Sequence, residues 1–596
     1  MERSGKDGAV REAKQERSHN CKILLLAAAV IILCGAAVLW MSVRRERRKE
    51  YEETLIVDVF DSLANYQGMQ SGWFAKIVKD KFNMELNIIA PNVAGGGDTL
   101  YQTRAAAGNL GDLLICDGSN NNLQDLVTAG LVMDMSEYLE GRDIMQYEAA
   151  LRNLNDPVSE TAIYAVPSEI SVHSCQQPSE NTELTFGPYL RYDLYTAIGS
   201  PKMETLEDLL PVLKEMQETY PISESGNKTY GFSLFRDWDG NMMSAAKQPA
   251  CFYGYEEYGF VLYKVDGSAY EDILAEDSIY QRILKFYFDA NQMGLIDPDS
   301  MNQKYMDVYD KCAQGDVLFS HWPWLGKSAY NTVERRMAGK GFMLVPIDDM
   351  QILSNGCRPF GNTNTIIAIG SNAKDPERLA DFIDWLYSPE GIYANGAQAV
   401  TGTAGPEGLT WEMTDNGPAL TDFGIRALAG ENVQVPEAWG GGTWASGCSC
   451  LNFNGVALID ESPEGYPYYY TLWDTYQALE NTALEEAWRR DMQADTSLDY
   501  LMEHDQYLVC PGITYQAPAE SSEIATLRSQ CSSVIVEGSW NMIFAEDEEA
   551  FYDLQKKMKL AAYSLGYDQV LAQDMQNVQI QTQLRQEAIA AEQAAE

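Results

Sequence analysis

From Thr54 onward, short apolar runs alternate with longer stretches of helical periodicity. Thr54–Phe60 is rich in β-branched and apolar residues and predicts a strand, followed by a polar, aromatic loop (Asp61–Gly72) that carries Tyr66. Trp73–Phe82 then predicts a helix, Leu86–Ala90 a second strand, Gly111–Asp117 a third, and Leu123–Ala129 a helix closed by Gly130. Asp98 and Thr205 stand where helix N-caps are expected. Strands alternating with helices imply βαβ units and a mostly parallel sheet. Ligands of such sheets meet the loops beyond the carboxyl ends of the strands, where Asp117 and the Tyr66 loop fall.

The most informative stretch is Val317–Trp324, Val-Leu-Phe-Ser-His-Trp-Pro-Trp, entered through the turn signal Gly315-Asp316. It predicts a buried strand running into two tryptophans around a proline. Pro323 pushes Trp322 towards an extended backbone, and in an extended chain residues two apart share a face. Trp322 and Trp324 are therefore expected to form a flat apolar surface with N–H handles, suited to stacking a sugar ring or to packing in a core.

At the N-terminus, Ile23–Val43 is a run of twenty-one uncharged residues, long enough to span ~30 Å of hydrocarbon as a helix. It exceeds a signal-peptide core, and Leu33 before Cys34 is not the small residue expected before a lipidated cysteine. A transmembrane anchor is the expectation, preceded by a short tail of residues 1–22. Five basic residues from Arg44 to Lys49 crowd its C-terminal side, whereas the first twenty-two residues mix six basic with four acidic ones. Flank charge alone would therefore leave the body in the cytoplasm.

Charge narrows the function. The 596 residues carry −44, and since the first fifty hold +5, residues 51–596 hold −49. Such a body repels phosphate backbones, so nucleic-acid partners are not expected. Eleven cysteines and four well-separated histidines give no zinc spacing and no CxxC pair, so neither metal nor cofactor is expected and the body cysteines read as free thiols. Asp237 and Asp239 lack the rest of a calcium loop, and Gly326-Lys327-Ser328 has His321 where a P-loop needs glycine. No nucleophile elbow or HExxH is present. Acidic pairs for glycoside hydrolysis are too abundant in so acidic a chain to carry information.

Several ordered pieces carry a resemblance: Gly111-Asp-Leu, Leu126-Val-Thr-Ala-Gly130, Tyr164-Ala-Val-Pro167 and Arg191-Tyr-Asp-Leu194 with Gly199, Pro201, Thr205 and Leu209-Leu210. Further on stand Gly294-Leu-Ile-Asp-Pro-Asp-Ser300, Gly315-Asp-Val317 with its tryptophans, and Asp375-Pro-Glu377 through Phe382 to Gly391. In this order over residues 54–391 they resemble the extracellular solute-binding protein family 1, the carbohydrate-type receptors of ABC importers. The resemblance implies a two-lobed α/β fold of the periplasmic-binding-protein type (type II), no catalysis, and a ligand cleft that closes at a hinge. The first lobe would hold 54–166 and 347–392, the second 167–346 and 393–570, with crossings near Val166, Pro346 and Gly391. Residues 393–596 depart from the pattern by their length, and 571–596 read as a polar helical tail in solvent.

A sugar cleft needs aromatic platforms and polar groups for hydroxyls lifted out of water. The candidates are Trp322, Trp324, Asp117, Trp238, Arg358, Trp444, Tyr66 and Trp73; Trp385 and Trp411 are assigned to packing. Trp238 lies in the polar loop Phe235–Gly240, Arg358 near a proposed crossing, and Trp444 ends a glycine-rich run from Trp439. The function expected is a membrane-anchored receptor, its bulk outside the cell, passing a carbohydrate ligand to ABC permease subunits. An anchored carbohydrate-acting enzyme and a sensory ectodomain are the alternatives.

Overall fold

The computed structural model describes residues 51–595 except 63, 95, 96, 120, 399–401, 480 and 519. The anchor segment Ile23–Val43 lies outside the described residues, among which no helix is long and apolar enough to cross a membrane. Two compact units are distinguished. The smaller comprises the described residues up to Leu55 with Val78–Met84; within it Leu55 N–H donates to the Asn83 carbonyl (3.0 Å) and the Asn83 amide to that of Tyr51 (3.0 Å). The larger comprises Ile56–Ile77 and Glu85 onward, and every candidate site residue belongs to it.

A six-stranded sheet runs in the order Gly68–Met69, Met84–Ile89, Leu55–Asp61, Leu113–Cys116, Asn362–Ile369, Val166–Ser168. Leu55–Asp61 and Leu113–Cys116 pair in parallel, Val59 opposite Leu113, and Asn362–Ile369 returns antiparallel with Ile366 opposite Cys116. Leu113–Cys116 is buried at every position, as a central strand covered on both faces must be. Phe60, Leu114, Leu154, Ala165 and Ile366 close one core on this sheet. The sequence reading placed Leu55–Asp61, Met84–Ile89 and Leu113–Cys116 within two residues, and the helices at Gly72–Phe82 and Asn122–Thr128 equally well, but Gly68–Met69 falls in its predicted loop and Asn362–Ile369 was not read as a strand.

A second, larger core forms around a three-stranded antiparallel sheet, Phe319–Ser320, Tyr189–Arg191 and Phe342–Leu344, with helices Leu209–Thr219 and Ile279–Gln292 packed about it. Thr205 is the predicted cap: it forms a capping box with Asp208. One pairing has no local signal in the sequence. Ile352–Asn355 runs parallel to Tyr507–Cys510, joining segments some 150 positions apart in the chain.

Residues beyond 393, whose role the sequence left open, are structural: Trp488, Trp540, Ile543 and Phe551 are buried in the larger core. One expectation for the C-terminal part is corrected. The run after Leu571 is helical, within Tyr567–Ala595, but it does not stand wholly in solvent. Val570 and Val578 are fully buried, and so are the polar Asp574, Gln581, Thr582 and Arg585, while Gln576, Gln579, Gln583 and Gln586 stay exposed. Asp574 accepts from Phe260 N–H (2.8 Å) and from the Arg528 guanidinium (2.6 and 2.9 Å), while Arg585 donates to Glu256 (2.8 Å) and the Tyr263 hydroxyl (2.7 Å). Buried charge satisfied in this way leaves few apolar letters to reveal the helix's inner face.

Candidate functional site

The Trp322 turn is built from its strand outward. Ser320, the last strand residue, donates through Oγ to the Trp322 carbonyl (2.8 Å) and accepts from Trp322 N–H (3.3 Å) and Gly326 N–H (3.2 Å). Trp322 is extended (φ −138°, ψ 141°), and Pro323 opens the helix Pro323–Tyr330, where its missing N–H costs nothing. A Cβ on Gly326 would come within 2.7 Å of Ser320 Cβ and 3.0 Å of the Phe342 ring, so the helix can approach the sheet only with glycine there. The two indoles stack with centroids 4.6 Å apart and planes at 22°. They share a face as the sequence predicted, but through a different backbone: Trp324 sits in the first helical turn, not in extended chain. Trp322 is buried and Trp324 half-buried.

Trp238 joins them. Its ring lies 5.7 Å from Trp324 and 5.9 Å from Trp322, stacks on Tyr305 (5.0 Å, 23°) and meets Phe235 edge-on at 4.8 Å. The two carboxylates that flank it hold the loop. Asp237 accepts from Tyr305 N–H (3.0 Å), and Asp239 accepts from Ser244 N–H (2.8 Å) and from the Trp540 indole (2.8 Å). Burial raises the Asp239 carboxyl above the usual carboxylate range, against the pull of those bonds and of Arg236. Held in this way, Trp238 keeps 44 % of its surface exposed. Arg236 reaches Glu537 at 3.2 Å beside it. Beneath the platform His321 is buried, with Nε2 2.6 Å from the Tyr287 hydroxyl, and burial pushes its pKa down to about 3. The imidazole is thus neutral at physiological pH, and the ring cluster carries no charge of its own.

Three more candidates gather at one edge of the six-stranded sheet, the carboxyl ends of its parallel strands. Asp117 follows Leu113–Cys116; it accepts from Ser119 N–H (2.8 Å) and the Asn122 amide (3.2 Å), fixing its own loop. Gly118 N–H donates to the Thr363 carbonyl (3.0 Å), which ties that loop to the start of the returning strand. Tyr66 follows Leu55–Asp61, is exposed, and donates to the Met69 carbonyl (2.7 Å). Arg358 is half-buried in an ion pair with Glu169, which also accepts from the Asn362 amide at 3.2 Å. Glu169 was missed by the sequence reading. It sits directly after the Val166–Ser168 strand with φ +51°, a backbone conformation uncommon outside glycine and worth a functional question. The local signal was present in Tyr-Ala-Val-Pro-Ser-Glu, where an acid follows a crossover proline.

The remaining two candidates lie elsewhere. Trp73 and Trp444 are buried and stack on each other (4.8 Å, 5°), with Trp73 Nε1–H donating to the Trp444 carbonyl at 3.2 Å. They pack the glycine-rich run against the helix Gly72–Phe82 and present no surface to a ligand. Trp385 and Trp411, assigned to packing, are buried. Tyr305, Tyr309 and Phe235 complete the platform without any sequence motif having marked them. The nine described cysteines are free, and all but the half-buried Cys450 are buried.

With a mixed α/β sheet, a second sheet on its own core and an uncharged aromatic platform, the architecture is that of a solute receptor. The model of the bacterial extracellular solute-binding protein family matches residues 70–393, and the chain belongs to that non-catalytic family. The fold is periplasmic-binding-protein-like. No curated protein matches in sequence. Among solved structures, the alginate-binding protein AlgQ2 without calcium superposes with a TM-score of 0.55 at 12 % identity, covering 88 % of this chain and 98 % of the other. The S. pneumoniae ABC-transporter substrate-binding protein FusA in complex with kestose gives 0.56 at 14 %, covering 90 % and 100 %. A human-milk-oligosaccharide-binding (HMO-binding) solute-binding protein from Bifidobacterium longum infantis gives 0.57 at 14 %, covering 89 % and 98 %. These likenesses cover nearly all of this chain, so the length beyond residue 393 is shared with such folds rather than added to them.

Proposed function

We propose that this protein captures a neutral sugar or oligosaccharide outside the cell, in a cleft between two lobes, and delivers it to an ABC permease. The observation that carries the reading is the aromatic cluster at the Trp322 turn, in which exposed Trp238 and half-buried Tyr305 and Trp324 lie over buried Trp322 and a neutral histidine. Aromatic faces bind the C–H faces of sugar rings without needing charge. The sheet edge carrying Tyr66, Asp117, Glu169 and Arg358 would supply hydroxyl partners from the other lobe, and the Glu169–Arg358 pair would have to open or rearrange to do so. Anchoring through Ile23–Val43 and partnership with permease subunits belong to the same reading. The solved structures named above are of an alginate-binding protein, a receptor in complex with kestose and an HMO-binding protein, which supports a saccharide.

The test is isothermal titration of the purified protein against a panel of neutral mono- and oligosaccharides, with amino acids and short peptides as controls. Saturable binding to at least one saccharide is expected. Binding confined to a peptide or amino acid would remove the carbohydrate assignment.

A further inference from the structure

The helix Glu548–Ser564 packs one side inward and leaves the other uncovered. Phe551, Met558 and Ala562 belong to the larger core. Phe551 meets Phe288 with centroids 4.9 Å apart, and a Cβ on Gly538 would come within 2.7 Å of Met558, so this side lies close against the helix Ser522–Ile543. The outward side carries Glu549, Tyr552, Lys556, Leu560 and Tyr563, which at spacings of three and four form one stripe. Tyr552 and Leu560 leave 50 % and 63 % of their surfaces open.

The charges on this side are sorted along the helix. Glu546, Asp547, Glu548 and Glu549 lead into it, and Lys556, Lys557 and Lys559 follow two turns later. Lys556 stands roughly 10 Å along the axis from Glu549, too far to pair with it. Among the described residues none of the three lysines is ion-paired, whereas the cations of neighbouring elements are. Lys285 reaches Asp289 (2.8 Å) and Glu548 (3.6 Å), Arg236 reaches Glu537 (3.2 Å), and Arg528 reaches Asp574 (2.6 Å). In a body this acidic, three unpaired lysines within one turn are out of the ordinary.

The order of the charges is self-complementary. Glu549 with Lys556, Glu548 with Lys557, and Glu546 with Lys559 are each centred on the same point, midway between Tyr552 and Asp553. Turned end over end about that point, the helix sets each of these acids against a lysine it cannot reach in its own chain, with Tyr552 at the centre. A second copy, antiparallel to the first, supplies that arrangement, as a two-fold interface requires. A uniformly anionic partner such as a lipid surface would be drawn to the lysines and repelled by the acids two turns away. At physiological salt, charges more than ~8 Å from the contact are screened, so the pairs at the helix outweigh the net charge of the two bodies.

We propose that Glu548–Ser564 is the face on which two copies of this chain associate, antiparallel about Tyr552. One helix against one helix is a small interface, below ~1,200 Å² in total, so the association is weak and reversible. It draws on nothing in the saccharide reading, and its test needs no ligand. Sedimentation velocity of the full chain in detergent micelles, at rising protein concentration, should show a monomer–dimer equilibrium. Lys556→Glu with Lys559→Glu should weaken it about tenfold or more, and so should Glu546→Lys with Glu549→Lys. Mixed in equal amounts, the two variants should associate as the wild type does, because every pair across the contact is then opposite in sign. Tyr552→Cys should cross-link to its own copy through a short bismaleimide, with the wild type and its own cysteines as the blank. Tyr563→Cys, roughly 30 Å from its counterpart in this register, should not. The proposal is overturned if the wild type stays monomeric, or if either charge variant associates as the wild type does, which would place the contact elsewhere in the chain. It is also overturned if the mixture fails to recover, or if position 563 cross-links in preference to 552.

Discussion

Trp238→Ala tests the platform most directly, because the ring is exposed while the loop beneath it is held by groups the substitution leaves alone. Of a side chain of about 250 Å², 44 % is open. That leaves about 110 Å² for a ligand to cover, or about 2.7 kcal/mol at 25 cal/mol per Å² if all of it is buried and about 1.4 if one face is. Removing the ring should therefore weaken saccharide binding about ten- to a hundredfold. The buried remainder, about 140 Å², sets an upper estimate of about 3.5 kcal/mol on lost stability, so affinity must be measured well below the lowered melting temperature. Asp237 and Asp239 still bind Tyr305, Ser244 and Trp540, which keeps the loop's path. Isothermal titration with the best saccharide of the panel reads the affinity, and circular dichroism confirms the fold. Trp73→Phe is the control: in the buried Trp73–Trp444 stack it should cost stability and leave affinity untouched. A folded Trp238→Ala protein that binds within twofold of wild type would refute the platform argument.

Three other outcomes follow from the packing. Arg585→Ala removes the cation beside Glu256, which keeps only the Tyr263 hydroxyl and the Cys510 thiol and is partly open to solvent, and should cost about 1.5–3 kcal/mol in denaturant unfolding; Lys at 585, keeping the charge without the fork, should recover part of it. Gly356→Ala puts a Cβ 2.1 Å from the Cys175 carbonyl oxygen and 2.7 Å from that of Cys510, so three chain segments must move apart. It should lower the melting temperature far more than Gly465→Ala with its empty surroundings, although Gly465 carries the positive φ and Gly356 does not. His321, held near pKa 3 against 6.5 when unfolded, makes the unfolded chain bind more protons between those values, so its contribution to stability falls as pH drops from about 6.5 towards 3. His321→Gln should flatten that part of the pH–stability curve, and an unchanged slope would show the imidazole to be hydrated.

What could be read from the sequence was what local pattern encodes. The strands at Leu55, Met84 and Leu113 are short apolar runs between turn signals, and the cap at Thr205 is a single letter whose hydrogen bonds close within a few residues, whereas Asp98, the other expected cap, falls inside the helix Gly97–Ala106. The pairing of Trp322 with Trp324 was likewise local, and survived an error about the backbone because the proline fixes where the helix begins. Trp238 was found because an indole in a polar loop has no core to explain it. Its partner Tyr305 was not, since a tyrosine opening an amphipathic helix looks the same whether it meets a core or a ring 67 positions earlier. The C-terminal helix failed for a deeper reason. Its buried face is written in Asp574, Gln581 and Arg585, letters that read as solvent unless their partners are known, and those partners (Arg528, Phe260, Ile513, Glu256) lie 46, 314, 68 and 329 positions away. Composition therefore mistakes the helix for a tail at the very place where long-range charge pairing does what apolar burial does elsewhere.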